Sequence, residues 1–141
     1  MFRISIFFFL SWFLLVSFTG CKKKQPTSSY SIVGNWTLEK LYILGLEQNL
    51  SNCNKQSYMK FEPNHRAESK FYKKNAGNCE VDMRYKGTWF VEDNKTFIHV
   101  EKVNGNPADY NREVYFIDEN HYYVYETSAG IEGKFIYKKQ N

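Results

Sequence analysis

The chain is expected to fold as an all-β domain of about eight short antiparallel strands, as a closed up-and-down barrel or, alternatively, a two-sheet sandwich. Three observations lead there. Tyrosine, phenylalanine and β-branched residues, which favour strands, are abundant once an apolar leader is set aside: all 11 tyrosines lie beyond it. Short runs of alternating apolar and polar residues recur between turn signals such as Pro63-Asn64-His65, Asp93-Asn94-Lys95 and Asp118-Glu119-Asn120. No segment of about 10–15 residues carries convincing helical periodicity.

The leader comes first. Met1, Phe2 and Arg3 give a minimal positive start, and Ile4 to Phe18 holds 15 residues, 12 of them apolar and the rest serine. A membrane-spanning helix needs about 20 apolar residues; this run has the length of a signal-peptide core. The competing reading is an uncleaved N-terminal anchor. Phe18-Thr19-Gly20-Cys21 resembles a bacterial lipobox. That resemblance implies diacylglyceryl on the Cys21 thiol, cleavage just before it and acylation of the new amino group. Two or more acyl chains anchor a protein stably where one does not. Residues 1–20 are therefore read as signal peptide and 21–33 as a lipidated N-terminus and flexible tether. Residues 34–141 are read as the folded domain, held on the bacterial envelope at the outer membrane without spanning it.

Charge excludes one class of partner. The formal net charge is +4, but Arg3 leaves with the leader and Lys22, Lys23 and Lys24 sit beside the anchor. From Gln25 onward 15 basic residues balance 15 acidic ones, so no nucleic-acid surface is expected. The three lysines suit anionic headgroups or a solvated spacer equally well. Gln25 to Ser31 reads as a linker. With its neighbours it reaches at most roughly 40 Å when extended.

Each strand then follows from local pattern. Gly34 to Leu38 opens the domain with Trp36 and Leu38 on one face. Beyond Ile43, glycine, asparagine and Cys53 suggest a crossing segment or short helix. Ser57 to Phe61 forms a strand with Met59 and Phe61 inward. Arg66 to Lys73 returns antiparallel with Ala67, Ser69 and Phe71 on one face, and Asn75 to Cys79 reads as an irregular connection. Tyr85 to Val91 and Thr96 to Val100 make the cleanest hairpin, setting Trp89 and Val91 against Ile98 and Val100. Asn104-Gly105-Asn106-Pro107 interrupts. Arg112 to Ile117, Tyr122 to Glu126 and Lys134 to Tyr137 complete the set, with Val114 and Phe116, and Phe135 and Tyr137, as inward pairs. On Tyr122 to Glu126 both faces are apolar or amphipathic, so pattern leaves its orientation open. Closure into a barrel removes exposed edges. About 120 residues suit a single domain.

With Cys21 carrying lipid, Cys53 and Cys79 remain, and in an exported protein an even remainder suggests a disulfide. Two free thiols are the alternative. The enclosed 27 residues correspond to about 3.5 kcal/mol in the chain-entropy description.

The order of motifs resembles small lipocalin-like bacterial lipoproteins of the Bacteroidetes type. Gly34-Asn35-Trp36 matches the first-strand G-x-W of lipocalins; Cys53, the strand SYMKF, the turn-bearing EPNH, Cys79, Gly87-Thr88-Trp89 and aromatic-rich final strands follow. The resemblance spans about Ile32 to Lys138. It implies a monomeric calyx that takes a small apolar or amphipathic ligand, with no cofactor. The chain is short for a full lipocalin, and an eight-stranded barrel can be filled by side chains instead.

Candidate wall or core residues are Trp36, Phe61, Phe71, Trp89, Phe116, Phe135, Tyr123, Tyr125 and Tyr137. Aromatic side chains line pockets and equally pack across strands. His65, His99 and His121 come from separate turns or strands and form no metal-ligand motif. No GxSxG elbow occurs, and Asp93, Asp109 and Asp118 fall in turns. No enzyme is expected. Two functions remain: a binding module for a small hydrophobic or amphipathic molecule, and a structural or protein-interaction lipoprotein with no cavity.

Overall fold

Five two-residue turns set the architecture. Leu44-Gly45, Ala76-Gly77, Asp93-Asn94, Asn104-Gly105 and Ala129-Gly130 each hold both residues at positive φ. This left-handed pair matches the right-handed twist of the strands it joins. In the computed structural model, which describes residues 30–141, these turns make five of the eight connections between nine strands. They are β1 (Gly34–Ile43), β2 (Leu46–Glu47), β3 (Tyr58–Phe61), β4 (Arg66–Asn75), β5 (Asn78–Glu92), β6 (Lys95–Val103), β7 (Asn106–Phe116), β8 (His121–Ser128) and β9 (Ile131–Lys139). The segment read as a signal peptide, Cys21 and the first part of the expected tether lie outside the described residues.

All neighbouring pairs are antiparallel, and β1 pairs with β9 to close the sheet. β2 is a stub folded back on β1, so eight strands form a closed barrel. The two-sheet sandwich is set aside. The inward pattern holds where alternation was clear: Trp36, Leu38, Met59, Phe61 and Val114 are all buried.

Three expectations need correction. The irregular connection at Asn75 to Cys79 is a tight turn, and Cys79 lies inside β5, which runs unbroken for 15 residues. β7 begins at Asn106 and runs through Pro107, as Pro can near a strand's start. The central hairpin keeps its face but slips in register, pairing Trp89 with Ile98, Val91 with Thr96 and Gly87 with Val100. Beside a register shift in β5, a Cβ on Gly87 would stand 1.9 Å from the His99 carbonyl oxygen. Only glycine fits there.

The wall has a seam. β3 is only four residues long and pairs with β1 through Gly34–Thr37 alone. Beyond that, the gap between β1 and β4 is filled by the segment that includes a short 3₁₀ helix, Asn54–Gln56. Leu38 N donates to Ser57 O, Tyr72 N to Ser57 Oγ and Asn54 Nδ2 to Tyr72 O, each at 2.9 Å. Leu50 packs on the core from this segment. The Cys53–Cys79 disulfide fastens the segment to β5.

One end of the barrel is solid. Ile32 enters beneath Trp36 and accepts a 2.7 Å hydrogen bond from its indole Nε1. Trp36 meets Tyr122 edge-on at 4.8 Å, Tyr122 stacks on Tyr137 at 5.1 Å, and Phe61 closes on Tyr122 at 6.1 Å. Within this packing the Tyr122 hydroxyl reaches Met59 Sδ at 3.2 Å.

Candidate functional site

The opposite half of the interior is built differently. Stepping two residues back along β7 from buried Val114 brings Arg112 inward; two residues on from Val124 along β8 comes Glu126. Period-two geometry makes both face the barrel interior. Arg112 is only 6% exposed. Its Nη1 stands 2.6 Å from Glu126 Oε1, yet neither atom makes an aligned hydrogen bond. The contact is a close ion pair approached off-line. Arg112 Nη2 donates to the Tyr110 hydroxyl at 2.8 Å. The guanidinium carbon lies 4.2 Å from the Tyr85 ring centroid and 5.2 Å from that of Tyr110, within cation–π range. A long 3.4 Å bond runs from the Tyr85 hydroxyl to Glu126 Oε2.

Burial and charge oppose each other in this cluster. Burial pushes the Glu126 carboxyl above the usual range, against the pull of Arg112 and the Tyr85 hydroxyl. Burial also works against the charged Arg112, but Glu126, Tyr85 and Tyr110 outweigh it and the guanidinium is held more firmly protonated. Tyr85 is pushed up to about 12, first by burial and then by the Glu126 charge. Burial drives Tyr122 and Tyr137 well above their ordinary value.

Next to the ion pair lies a cavity of about 10 Å³, lined by Met59, Ser69, Tyr85, Ile98, Val100 and Arg112. Its size is near the minimum for a single water. The Ser69 and Tyr137 hydroxyls are buried without a hydrogen-bond partner. Half-buried Phe71, Met83, Val103, Ala108 and Phe135 pack against the core. Phe71 meets Tyr85 edge-on at 5.5 Å and Phe135 at 6.2 Å.

The sequence-derived candidates separate into three groups. Trp36, Phe61, Tyr137, Trp89 and Phe116 serve packing at or towards the solid end. Trp89 stacks on His65 at 4.4 Å and donates to Glu62 O at 2.8 Å, and Phe116 meets Tyr30 at 5.9 Å. Phe71 and Phe135 belong to the polar half. Tyr123 and Tyr125 are corrected: they stand on the outer face, not in the core or an interior pocket. The register fixes this, because Tyr122 pairs with Tyr137 and Val124 with Phe135, which commits the alternate positions to solvent. Outside, Tyr123 stacks on Tyr115 at 5.0 Å and carries Lys134 at 4.1 Å. The sequence reading missed Arg112, Glu126, Tyr85 and Tyr110, although strand parity from Val114 and Val124 points to the first two.

The histidines serve locally. His121 bonds Asp118 at 2.9 Å, and His99 bonds Asn111 at 2.9 Å. Among the described residues no three His, Cys, Asp or Glu side chains form a group able to hold a metal.

A closed antiparallel barrel of eight strands, solid at one end and charged within the other half, defines an all-β closed-barrel protein. The family model described as "Lipocalin-like domain" matches residues 32–131, and the chain belongs to that family. A barrel of this family is of a kind able, in principle, to enclose a small ligand. A de novo designed fluorescence-activating β-barrel is similar at 11% identity and a TM-score of 0.48, over 77% of this chain and 93% of that one. No curated protein matches.

Proposed function

We propose that the protein is a lipid-anchored envelope lipoprotein whose barrel binds a small amphipathic ligand in its polar half. The signal peptide ends at Gly20, Cys21 carries the lipid, and the tether holds a monomeric barrel at the outer membrane. What carries the ligand reading is the asymmetry of the interior. Trp36, Tyr122, Tyr137 and Phe61 fill one half, whereas the other keeps a buried Arg112–Glu126 pair among half-exposed apolar side chains. Apolar walls with a few convergent polar groups are the usual composition of a ligand site. A cavity of about 10 Å³ cannot receive such a molecule as it stands. Entry therefore displaces side chains, with Phe71, Phe135 and the Leu50 segment along the seam the ones to move.

A second reading, a protein-interaction lipoprotein, draws on the outward tyrosines Tyr115, Tyr123 and Tyr125. Native mass spectrometry of protein purified from its own envelope without detergent separates the two. A reproducible small-molecule adduct, lost on denaturation, supports ligand binding. A ligand-free spectrum with a co-purifying protein supports the second reading. Labelled palmitate incorporated by the natural chain and not by Cys21→Ala tests the anchor.

A further inference from the structure

The geometry points to Arg112 as the docking point for a carboxylate head on the ligand, with Glu126 holding that place until the ligand arrives. This rests on the ligand-binding reading above and names the chemistry of the head group.

A guanidinium offers a planar fork of donors that fits a carboxylate through two parallel bonds. Glu126, fixed to β8, brings one oxygen within 2.6 Å of Nη1, off-line, so Nη1 and Oε1 both keep unused hydrogen-bonding capacity in a buried place. Such groups call for an explanation. A carboxylate free of the backbone can turn to meet the fork where Glu126 cannot. Nη2 is already held by the Tyr110 hydroxyl, and the rings of Tyr85 and Tyr110 flank the guanidinium, so the fork is positioned in advance.

Stability does not account for the pair. A buried ion pair loses hydration, and well-packed apolar residues of similar volume are often as stabilising or more so. The exposures are also graded in the direction an exchange needs. The Arg112 side chain is 5% exposed and that of Glu126 18%, so the carboxylate is the partner with a route to solvent. Exchange of one carboxylate for another keeps the interior neutral: the ligand's charge faces Arg112 while the Glu126 charge turns to water. The ligand's alkyl chain then covers Phe71, Met83 and Phe135, which are half-buried beside the cluster.

Calorimetric titration of the mature protein with decanoate and with decanol tests this. The wild type is expected to bind decanoate at least about tenfold more tightly than decanol, as one charge-assisted contact provides. In Glu126→Gln, which removes the resident competitor, decanoate affinity rises by a further factor of about ten and decanol affinity does not change. The double variant Arg112→Met with Glu126→Met removes both charges without leaving either unpaired, so it keeps the fold even where Glu126→Gln does not. It should bind the two amphiphiles alike. Equal binding of acid and alcohol by the wild type overturns the carboxylate assignment and leaves the ligand-binding reading standing. Failure of the wild type and the double variant to bind either amphiphile overturns both.

Discussion

Replacing Trp36 by Phe tests whether this tryptophan is a structural plug or a pocket wall. The indole is fully buried, and its Nε1 supplies a 2.7 Å hydrogen bond to the carbonyl of Ile32, itself 2% exposed. Phenylalanine leaves that carbonyl unpaired inside the barrel, which costs about 1–3 kcal/mol. The smaller ring loses contact with Tyr122 and opens a void, adding about 1 kcal/mol. The expected loss is therefore about 2–4 kcal/mol, or about 10–20 °C in Tm for a domain of this size. Trp89→Phe is the control. Its Nε1 also donates to a carbonyl, that of Glu62, but the ring is only half-buried, so water can replace the bond and about 1 kcal/mol or less is lost. Urea unfolding of each variant, followed by the fluorescence of the remaining tryptophan, gives the comparison. Trp36→Phe should also leave amphiphile affinity unchanged. A Trp36→Phe loss no larger than that of Trp89→Phe would refute the plug, as would a specific loss of ligand binding.

Removing the disulfide by Cys53→Ala with Cys79→Ala should cost about 3.5 kcal/mol in urea unfolding under oxidising conditions; an unchanged midpoint would mean the seam segment holds without it. Tyr85, pushed up to about 12, and Tyr122 and Tyr137, which burial holds well above their ordinary value, all have folded values above the unfolded one. Above about pH 10 the unfolded chain therefore releases protons that the barrel retains, and stability falls as pH rises, by about 1.4 kcal/mol per pH unit for each tyrosine. Urea midpoints that stay level between about pH 9 and 11 would contradict this. Tyr123→Ser with Tyr125→Ser, on the outer face, should cost about 1 kcal/mol or less and leave amphiphile affinity intact by calorimetry.

Strand parity was legible wherever one face was apolar and the other polar. Met59 and Phe61 beside Tyr58 and Lys60 admit one orientation, and so do Trp36 and Leu38. The Tyr122–Glu126 stretch was not legible, because Tyr122 and Val124 offer a core no more than Tyr123 and Tyr125 do; the partners on β9 decide it. Strand ends were missed in the outer halves of two hairpins, where charged and polar residues outnumber the apolar ones. In Asn78–Arg84 of β5 only Val81 and Met83 alternate with Glu80, Asp82 and Arg84, and in Asn106–Asn111 of β7 Ala108 stands among polar neighbours; the I′ turns at Ala76-Gly77 and Asn104-Gly105 set their pairing. The candidate site was hidden for a related reason. Arg112 and Glu126 sit at inward positions, yet a charged residue in a strand pattern ordinarily marks the solvent face, and only closure of the barrel brings the two together.

The central claim is that the two halves of the barrel interior differ in kind, one a plug and the other a receptor. Amide chemical-shift mapping of the labelled protein during titration with decanoate tests it most directly. Saturable shifts should centre on Arg112, Glu126, Tyr85, Phe71 and Phe135, with Trp36, Phe61 and Tyr122 unmoved. Shifts confined to the outer tyrosines Tyr115, Tyr123 and Tyr125, or none at all, would contradict it.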